Sequence, residues 1–232
     1  MINLSKNIAI IPSRLGSKRI RQKNIRKFCS KPILYWTLKN LKQSKLFSRI
    51  IITSESSKVL RVANNLGFKE FLKRKKKLSK DYISTDEVIV DAIKTLEKKY
   101  DFENVCCIYP CSPFLEKSDL IKAYKLIQKD KNGFAFGVSN YEHPIQRSLG
   151  YNKRSRKLSI NNKNLFFKRT QDLKDMYHDV GQFYFAHKNT WLKKINKTRY
   201  GVKIPSWRSI DIDNNDDWKK AELIFKSLRK NG

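Results

Sequence analysis

The stretch "NIAIIPSRLGSKRIRQKN" at residues 7–24 decides how the chain is interpreted. Its first part, residues 7–12, is a short apolar run rich in β-branched residues, which is typical of a strand buried on both faces. A dense group of basic residues follows at once, with Gly16 among them. Ligands of α/β sheets bind beyond the carboxyl ends of the strands, so the sequence predicts an anion-binding loop at residues 13–24, against the alternative of a solvated basic loop.

Outward from this stretch, strand and helix patterns alternate as far as residue 139. Such alternation predicts an α/β fold with a mostly parallel central sheet and helices on both faces. The predicted strands are 49–55, 104–110 and 133–139, and the predicted helices are 32–47, 56–67, 84–100 and 116–130.

Local signals support several of these helices. Pro32 is expected at the first helical position, and Gly67 is expected to end the helix that begins after Ser56. Ser84 and Glu87 have the spacing of a capping box, which predicts a helix start at that point.

The pattern dissolves between residues 141 and 176, which are polar with only brief alternation. A stretch this long without firm elements is usually a functional segment or an arm that packs on a partner chain. A strand at 180–188, a short helix at about 189–194, an extended "IDID" at 210–213 and a helix at 214–230 complete a single domain of residues 1–232.

Composition favours a folded protein whose charge is spread widely. The chain has 232 residues, 40% of them hydrophobic, and a formal net charge of +30. A nucleic-acid-binding protein usually concentrates its basic residues on one element, whereas these lysines occur throughout the chain, so nucleic acid is an unlikely partner. No apolar run is long enough for a membrane span and no cleavage signal is apparent, which predicts a cytoplasmic protein without membrane contact.

The four cysteines predict neither disulfides nor a zinc site. Cys106 and Cys107 are neighbours on a predicted strand, where adjacent side chains face opposite sides. No CxxC pair stands opposite a second one, so we expect Cys29, Cys106, Cys107 and Cys111 to be reduced thiols.

The residue types of the basic loop suit a polyphosphate. Gly16 allows backbone N–H groups to approach a phosphate, and Arg14 has a guanidinium that can bind two phosphate oxygens. Lys18 and Lys23 add positive charge. The order of residues matches neither a Walker A loop nor a dinucleotide-binding glycine motif.

"IDID" places Asp211 and Asp213 on the same side of an extended segment. Two neighbouring carboxylates repel each other unless a cation lies between them, and Mg²⁺ binds a few carboxylates together with phosphate oxygens. The pair therefore suggests a Mg²⁺ site, although Asp213 also has the position of an N-cap for the last helix.

Five segments resemble the acylneuraminate cytidylyltransferase family, which activates nine-carbon acidic sugars. They are similar to its pseudaminic acid branch over nearly the whole chain, and the family's N-terminal motif reads roughly IxARxGSKxxxxKN. The segments are "IIPSRLGSKRIRQKN" (10–24), "VCCIYPCSPFL" (105–115), "HPIQRSLG" (143–150), "YHDVGQFYF" (177–185) and "DIDNNDDW" (211–218).

This resemblance implies a three-layer Rossmann-like nucleotidyltransferase fold with a small dimerisation arm. It implies transfer of CMP from CTP to the anomeric hydroxyl of a nine-carbon sugar acid, pseudaminic acid first, with sialic or legionaminic acid as the alternative. Mg²⁺ would be the cofactor, and a homodimer would form through the arm, where Arg147 would reach a neighbouring active site. A nucleic-acid-binding module is the alternative from another class.

The resemblance also assigns residues to roles. Catalysis falls to Lys18, Asp211 and Asp213, of which the two aspartates are the metal ligands. Binding of CTP is assigned to Arg14, Gly16, Ser17, Lys18, Lys23, Asn24, Ser84 and either Lys73 or Arg74. Binding of the sugar is assigned to Tyr109, Arg169 (for the carboxylate), Gln171, Tyr177, His178 and Gln182.

Two of these assignments have further readings. Tyr109 stands where related sialic acid enzymes have a glutamine, which would favour a sugar of different stereochemistry. His178 would either relay a proton or form a hydrogen bond.

Overall fold

The structure is a computed structural model that describes residues 4–193 and 197–230. Its strands are β1 (Asn7–Pro12), β2 (Lys27–Phe28), β3 (Lys31–Pro32), β4 (Arg49–Ser54), β5 (Phe71–Lys73), β6 (Asn104–Ile108), β7 (Gly133–Asn140), β8 (Leu149–Tyr151), β9 (Leu158–Ile160), β10 (Tyr177–His187) and β11 (Thr198–Lys203). Its helices are α1 (Ile33–Ser44), α2 (Ser57–Asn65), α3 (Thr85–Leu96), α4 (Lys117–Lys129), α5 (Lys163–Phe166), α6 (Lys188–Leu192) and α7 (Asn215–Lys230).

One sheet of seven strands forms the centre of the molecule, in the order β11-β7-β10-β6-β1-β4-β5. Strand β1 pairs in parallel with β4 and β6, and parallel pairing also joins β4 to β5 and β7 to β11. Strand β10 alone among these seven runs antiparallel, against both β6 and β7. The predicted mostly parallel sheet is confirmed.

Helices cover both faces of the sheet and give the molecule three layers. Alternate residues of β1 face opposite sides, as the period of a strand requires: Ala9 packs with α1, α2 and α4, and Ile10 packs with α3 and α6. The adjacent Cys106 and Cys107 divide between the same two cores, and all four cysteines are free, as predicted.

A third apolar cluster joins the two ends of the chain. Ile20 of the basic loop lies in it with Phe28 and Trp36, and the C-terminal part contributes Ile212 and Trp218. The edge-on contact between Phe28 and Trp218 has a ring-centroid distance of 5.5 Å. Burial of these side chains fixes the basic loop against the segment that carries Asp211 and Asp213.

The structure confirms most of the predicted helix caps, but helix α1 differs from its prediction at both ends. Ser84 and Glu87 form the predicted capping box, and Gly67 has a left-handed φ of +84° after α2. Pro32, however, is the N-cap residue of α1 and not its first helical residue. The same helix ends at Ser44, earlier than expected, because Lys45 adopts a φ of 52° that stops the helical hydrogen bonding.

The arm at 141–176 contains only short elements: the antiparallel pair β8–β9, the four-residue helix α5 and two 3₁₀ turns. Strand β10 begins at Tyr177, three residues before the predicted start, because it continues pairing with β7 beyond a bulge between Asp179 and Tyr184. The helix predicted at about 189–194 is α6, and residue 194 lies outside the described residues.

None of the helices within residues 4–193 and 197–230 combines the length and the apolar character that a membrane span requires.

Candidate active site

A cavity of about 490 Å³ opens beyond the carboxyl ends of β1, β5 and β6, where an α/β sheet is expected to bind its ligand. The basic loop forms one wall, and residues after β5 and β6 form others. The lining residues are Pro12, Arg14, Gly16, Ser17, Lys18, Arg19, Lys23, Asn24, Arg74, Leu78, Lys80, Asp81, Ile83, Thr85, Val88, Tyr109, Pro110, Cys111 and Asp213.

The basic loop is held by its backbone as well as by Ile20. The backbone N–H of Leu15 donates to Glu55 Oε1 at 2.8 Å, and Asn24 Nδ2 donates to the Arg14 carbonyl at 2.7 Å. A Cβ added at Gly16 meets no other atom within 4 Å. Packing therefore does not demand glycine there, and its missing side chain instead leaves room for a ligand at the cavity wall.

Four cations of the loop are paired with two carboxylates. Asp81 accepts ion pairs from Arg14 and Lys18, each at 2.6 Å. Asp213 pairs with Arg19 at 2.6 Å and with Lys23 at 3.6 Å. Lys18 and Arg14 lower the pKa of Asp81 through their hydrogen bonds. A polyphosphate that enters the cavity would replace these carboxylates as the partner of the loop.

The acidic segment faces this loop. Ile212 is buried between Asp211 and Asp213, and Lys23 Nζ donates to its carbonyl at 2.7 Å. Asp211 is exposed as a residue, but protein atoms around its carboxyl group remove part of its hydration. This desolvation, and then repulsion by Asp213, raise the pKa of Asp211, while Lys23 and Arg19 lower it.

Asn214, and not Asp213, caps α7. Its Oδ1 accepts the backbone N–H groups of Asp216 and Asp217, and Asp217 Oδ2 accepts those of Asp213 and Asn214. The alternative reading of Asp213 as an N-cap is therefore wrong, and its carboxylate is directed to the basic loop.

The donor set suits a Mg²⁺ ion. Two carboxylates supply hard oxygen ligands, and their repulsion is what a bound cation would offset. The described residues hold no group of three or more His, Cys, Asp or Glu side chains fit for a metal. Mg²⁺ in proteins is usually bound by one or two carboxylates together with phosphate oxygens and water.

The residues predicted to read the base occupy different environments. Arg74 lines the cavity, is buried, and donates from Nη2 to the Thr53 carbonyl at 2.9 Å, while its Nε has no hydrogen-bond partner. Desolvation lowers the pKa of this guanidinium. Lys73 is exposed and is not among the lining residues, and Ser84 caps α3 through its hydroxyl.

Tyr109 and Cys111 form the wall that follows β6. The Tyr109 hydroxyl lies 3.2 Å from Thr85 Oγ1, and its ring contacts Tyr184, whose hydroxyl donates to Asp179. The Cys111 thiol donates to Asn24 Oδ1 at 3.2 Å, and burial raises its pKa to about 12, so the group stays protonated.

Most of the predicted sugar-binding residues lie outside the cavity of this one chain. Arg169 and Gln171 are exposed on the arm, where Arg169 pairs with Asp172 at 3.0 Å. Tyr177 contacts Lys203, and His178 Nδ1 lies 3.0 Å from the Asp179 carbonyl. Gln182 is buried and donates from Nε2 to the Arg208 carbonyl at 2.6 Å.

Sequence reasoning missed Asp81, Arg19 and Thr85 among the lining residues. Asp81 lies in a polar loop between β5 and α3, where no periodic pattern marks it. Thr85 directly follows Ser84, the N-cap residue of α3. The capping box was therefore the sequence signal that could have placed Thr85 at the start of this helix, beside the cavity.

The sequence of this chain is similar to those of known cytidylyltransferases. Residues 8–204 match the family described as Cytidylyltransferase. A pseudaminic acid cytidylyltransferase of Campylobacter jejuni subsp. jejuni serotype O:2 is 35% identical over 95% of this chain and 97% of its own length. An N-acylneuraminate cytidylyltransferase of Escherichia coli O18:K1:H7 is 30% identical over 95% of this chain and 52% of its own length.

Solved structures share the fold at low identity. A CMP:2-keto-3-deoxy-manno-octonic acid synthetase complexed with CTP superposes with a TM-score of 0.73 at 12% identity, over 97% of this chain and 100% of that one. A 4-diphosphocytidyl-2C-methyl-D-erythritol synthase from Anaerococcus prevotii gives 0.66 at 12% identity over the same shares.

The match to this family over most of the chain, together with the three-layer fold, identifies a nucleotidyltransferase. The chain belongs to the cytidylyltransferase family, as its match over residues 8–204 shows.

Proposed function

We propose that the chain transfers CMP from CTP to the anomeric hydroxyl of pseudaminic acid, a nine-carbon sugar acid, and releases pyrophosphate. The observation that carries this proposal is the cavity in which the cationic loop faces Asp213 across the mouth of the sheet. The similarity to the Campylobacter enzyme over nearly the full length of both chains supports the choice of sugar.

The loop would bind the triphosphate. Lys18 is 84% exposed at the side chain and is free to move from Asp81 to a phosphate oxygen, and Arg14 can do the same. Lys23, Asn24, Ser17 and Gly16 complete this wall. As the anomeric oxygen bonds to the α-phosphorus, the bond to the β-phosphate breaks, and these cations stabilise the pyrophosphate that leaves.

Asp211 and Asp213 would hold Mg²⁺. A bound ion would polarise the α-phosphate and favour ionisation of the attacking hydroxyl. Asp213 would hold this charge close to the phosphate wall, because its carboxylate already faces the loop through Arg19 and Lys23.

Base and sugar would lie at the other walls. Arg74 is the better candidate for the base than Lys73, because its buried Nε has no partner and it lines the cavity. Tyr109 would contact the sugar from the wall after β6. Ser84 remains our candidate for the base, and Gln171, Tyr177, His178 and Gln182 remain our candidates for the sugar.

We also propose that residues 1–232 act as one domain that forms a homodimer through the arm, residues 141–176. The arm exposes large apolar side chains that a partner would cover: Leu149, Tyr151, Leu158 and Phe167. Arg169 would bind the sugar carboxylate, and Arg147, which donates to the Lys168 carbonyl, would lie near the partner's site. A cytoplasmic location follows as a prediction from the nucleotide substrate.

Pyrophosphate release with CTP and a panel of nine-carbon sugar acids tests the function. We expect release with pseudaminic acid and Mg²⁺, and little with sialic or legionaminic acid. Preference for sialic acid would instead favour the activity named for the Escherichia coli relative. Release with ATP, GTP or UTP at the rate seen with CTP would contradict the assignment of the base.

A further inference from the structure

The segment that carries Asp211 and Asp213 has no helix or strand of its own between residues 209 and 214. Groups that act on a phosphate need to be held to within about 0.5 Å of their working position by the residues around them. A coil cannot do this through its own backbone hydrogen bonds, so contacts with other elements must fix it.

The downstream end of this segment is fixed by the cap of α7. Asn214 Oδ1 accepts the backbone N–H of Asp217, Asp217 Oδ2 accepts the backbone N–H of Asn214, and Lys23 Nζ donates to the Ile212 carbonyl at 2.7 Å. The upstream end begins directly after Arg208, at the end of a 3₁₀ turn at 206–208.

Arg208 is the most strongly bound side chain near that upstream end. It is 6% exposed, and its guanidinium donates to both carboxylate oxygens of Asp119 on α4, from Nη1 at 2.6 Å and from Nη2 at 3.3 Å. Nη1 also donates to the Phe114 carbonyl at 3.2 Å, and Nε lies 3.4 Å from Glu116 Oε1. Asp119 itself is 0% exposed.

Strand β10 binds the backbone of the same residue. Gln182 Nε2 donates to the Arg208 carbonyl at 2.6 Å from a buried position. Two elements of the rigid core, α4 and β10, therefore hold Arg208 by its side chain and by its main chain.

Stability alone does not explain this ion pair. Replacing a buried ion pair by apolar residues of similar volume is often neutral or stabilising for the fold. The bidentate contact between the two charged groups, however, permits only one relative position of Arg208 and Asp119. It thereby fixes the point at which the coil that carries Asp211 and Asp213 begins.

We infer that Asp119 and Arg208 are positioning residues that hold segment 209–214 so that Asp211 and Asp213 face the cationic loop. The inference rests on the proposed function, because it gives this pair of aspartates its role in CMP transfer. Neither residue contacts the cavity, so both act through the segment.

The test uses a variant that keeps the fold but removes the specified geometry. In the double variant Asp119→Leu/Arg208→Met, apolar groups fill the site and the melting temperature is expected to stay close to that of the wild type. Arg208→Lys, which keeps the charge but loses the fork, provides a second variant.

Activity and binding are measured on the full chain. We expect kcat to fall at least about tenfold in both variants, as is typical when residues that support a metal ligand are lost. Calorimetry should show CTP binding unchanged without metal, whereas the tightening of CTP binding by Mg²⁺ should be largely lost. Phe102→Leu, in the core on the other side of the sheet, controls for a general loss of stability and should leave kcat and the Mg²⁺ effect unchanged.

The outcomes separate the two proposals. A double variant with the kcat and the Mg²⁺ effect of the wild type overturns the positioning role, and so does a loss that Phe102→Leu reproduces. Absence of any Mg²⁺ effect on CTP binding by the wild type overturns it too. If the wild type releases no pyrophosphate with any sugar, the proposed function fails, while calorimetry with CTP and Mg²⁺ still decides the role of the pair.

Discussion

At the scale of single residues, the site holds two neighbouring carboxylates whose mutual repulsion is unfavourable for the folded state. Asp211 lies beside Asp213, and partial desolvation together with this neighbour raises its pKa. A carboxyl group with a raised pKa holds its proton more tightly in the folded state than in the unfolded chain. Its contribution to stability is therefore full below the unfolded pKa and is lost as the pH rises through the folded one.

This sign gives a prediction for Asp211→Asn. At neutral pH the variant should unfold at the same temperature as the wild type or a higher one, because an unfavourable charge is removed. Turnover should fall on the order of 100-fold or more, because the amide is a poor ligand for Mg²⁺ and carries no charge. Thermal unfolding and pyrophosphate release measure the two effects.

Asp216→Asn is the matched control for this change. Asp216 is an exposed acid in the first turn of α7, two residues beyond the N-cap, whereas Asp211 lies close enough to Lys23 and Arg19 for both cations to lower its pKa. Its replacement should leave turnover near that of the wild type. Retained Mg²⁺-dependent activity in Asp211→Asn, with the control also active, would contradict the catalytic role of Asp211.

At the scale of elements, sequence predicted best where one local rule decides the outcome. The continuous apolar run at residues 7–12 was sufficient for β1, and the Ser84–Glu87 spacing was sufficient for the start of α3. The boundaries that differ depend on tertiary contacts. Strand β10 continues to Tyr177 because β7 is long enough to pair with it there, and no residue near Tyr177 encodes that length of β7.

The basic wall of the cavity was predictable from the sequence, whereas the position of Asp81 was not. Arg14, Lys18 and Lys23 follow β1 directly, so the topology places them at the carboxyl end of the sheet. Asp81 is more than 60 residues from Lys18 along the chain, and its approach depends on the loop between β5 and α3. A pairing of this kind comes from the folded loop and not from any periodic pattern.

The arm is the element whose structure most clearly calls for a partner. Phe167 is 81% exposed and Leu158 is 62% exposed, which is costly for side chains of this size if they stay in water. We expect the double variant Leu158→Asp/Phe167→Asp to dissociate the proposed dimer, because charged groups would have to be buried at the interface.

Light scattering after size exclusion measures this change. The wild type should have the mass of a dimer and the variant that of a monomer, with the same far-UV circular dichroism. Leu223→Asp on α7 is the matched control, since Leu223 is 70% exposed outside the arm, and it should remain dimeric. A wild type that is monomeric at all concentrations would contradict the role of the arm.

At the scale of the whole molecule, the chain has 51 basic residues against 21 acidic ones, and only some of the basic residues line the cavity. This excess of positive charge attracts the negatively charged CTP over a distance. The net charge alone does not show which basic residues cause the attraction: those of the whole surface or those of the loop at 13–24. Salt screens the first strongly, and it screens close contacts inside a cleft less.

We predict that the loop dominates, and paired lysine variants decide between the two. Lys18→Gln and Lys98→Gln each remove one positive charge, the first at the cavity and the second beyond the far end of α3. Between ionic strengths of about 0.01 M and 1 M the Debye length falls from about 30 Å to 3 Å, so KM for CTP should rise in the wild type. Lys18→Gln should raise KM at low and at high salt alike, because it removes a close contact that phosphate makes in the cavity and that salt screens little, while Lys98→Gln should behave as the wild type. Equal effects of the two variants would mean that the net charge of +30, and not the loop, recruits the nucleotide.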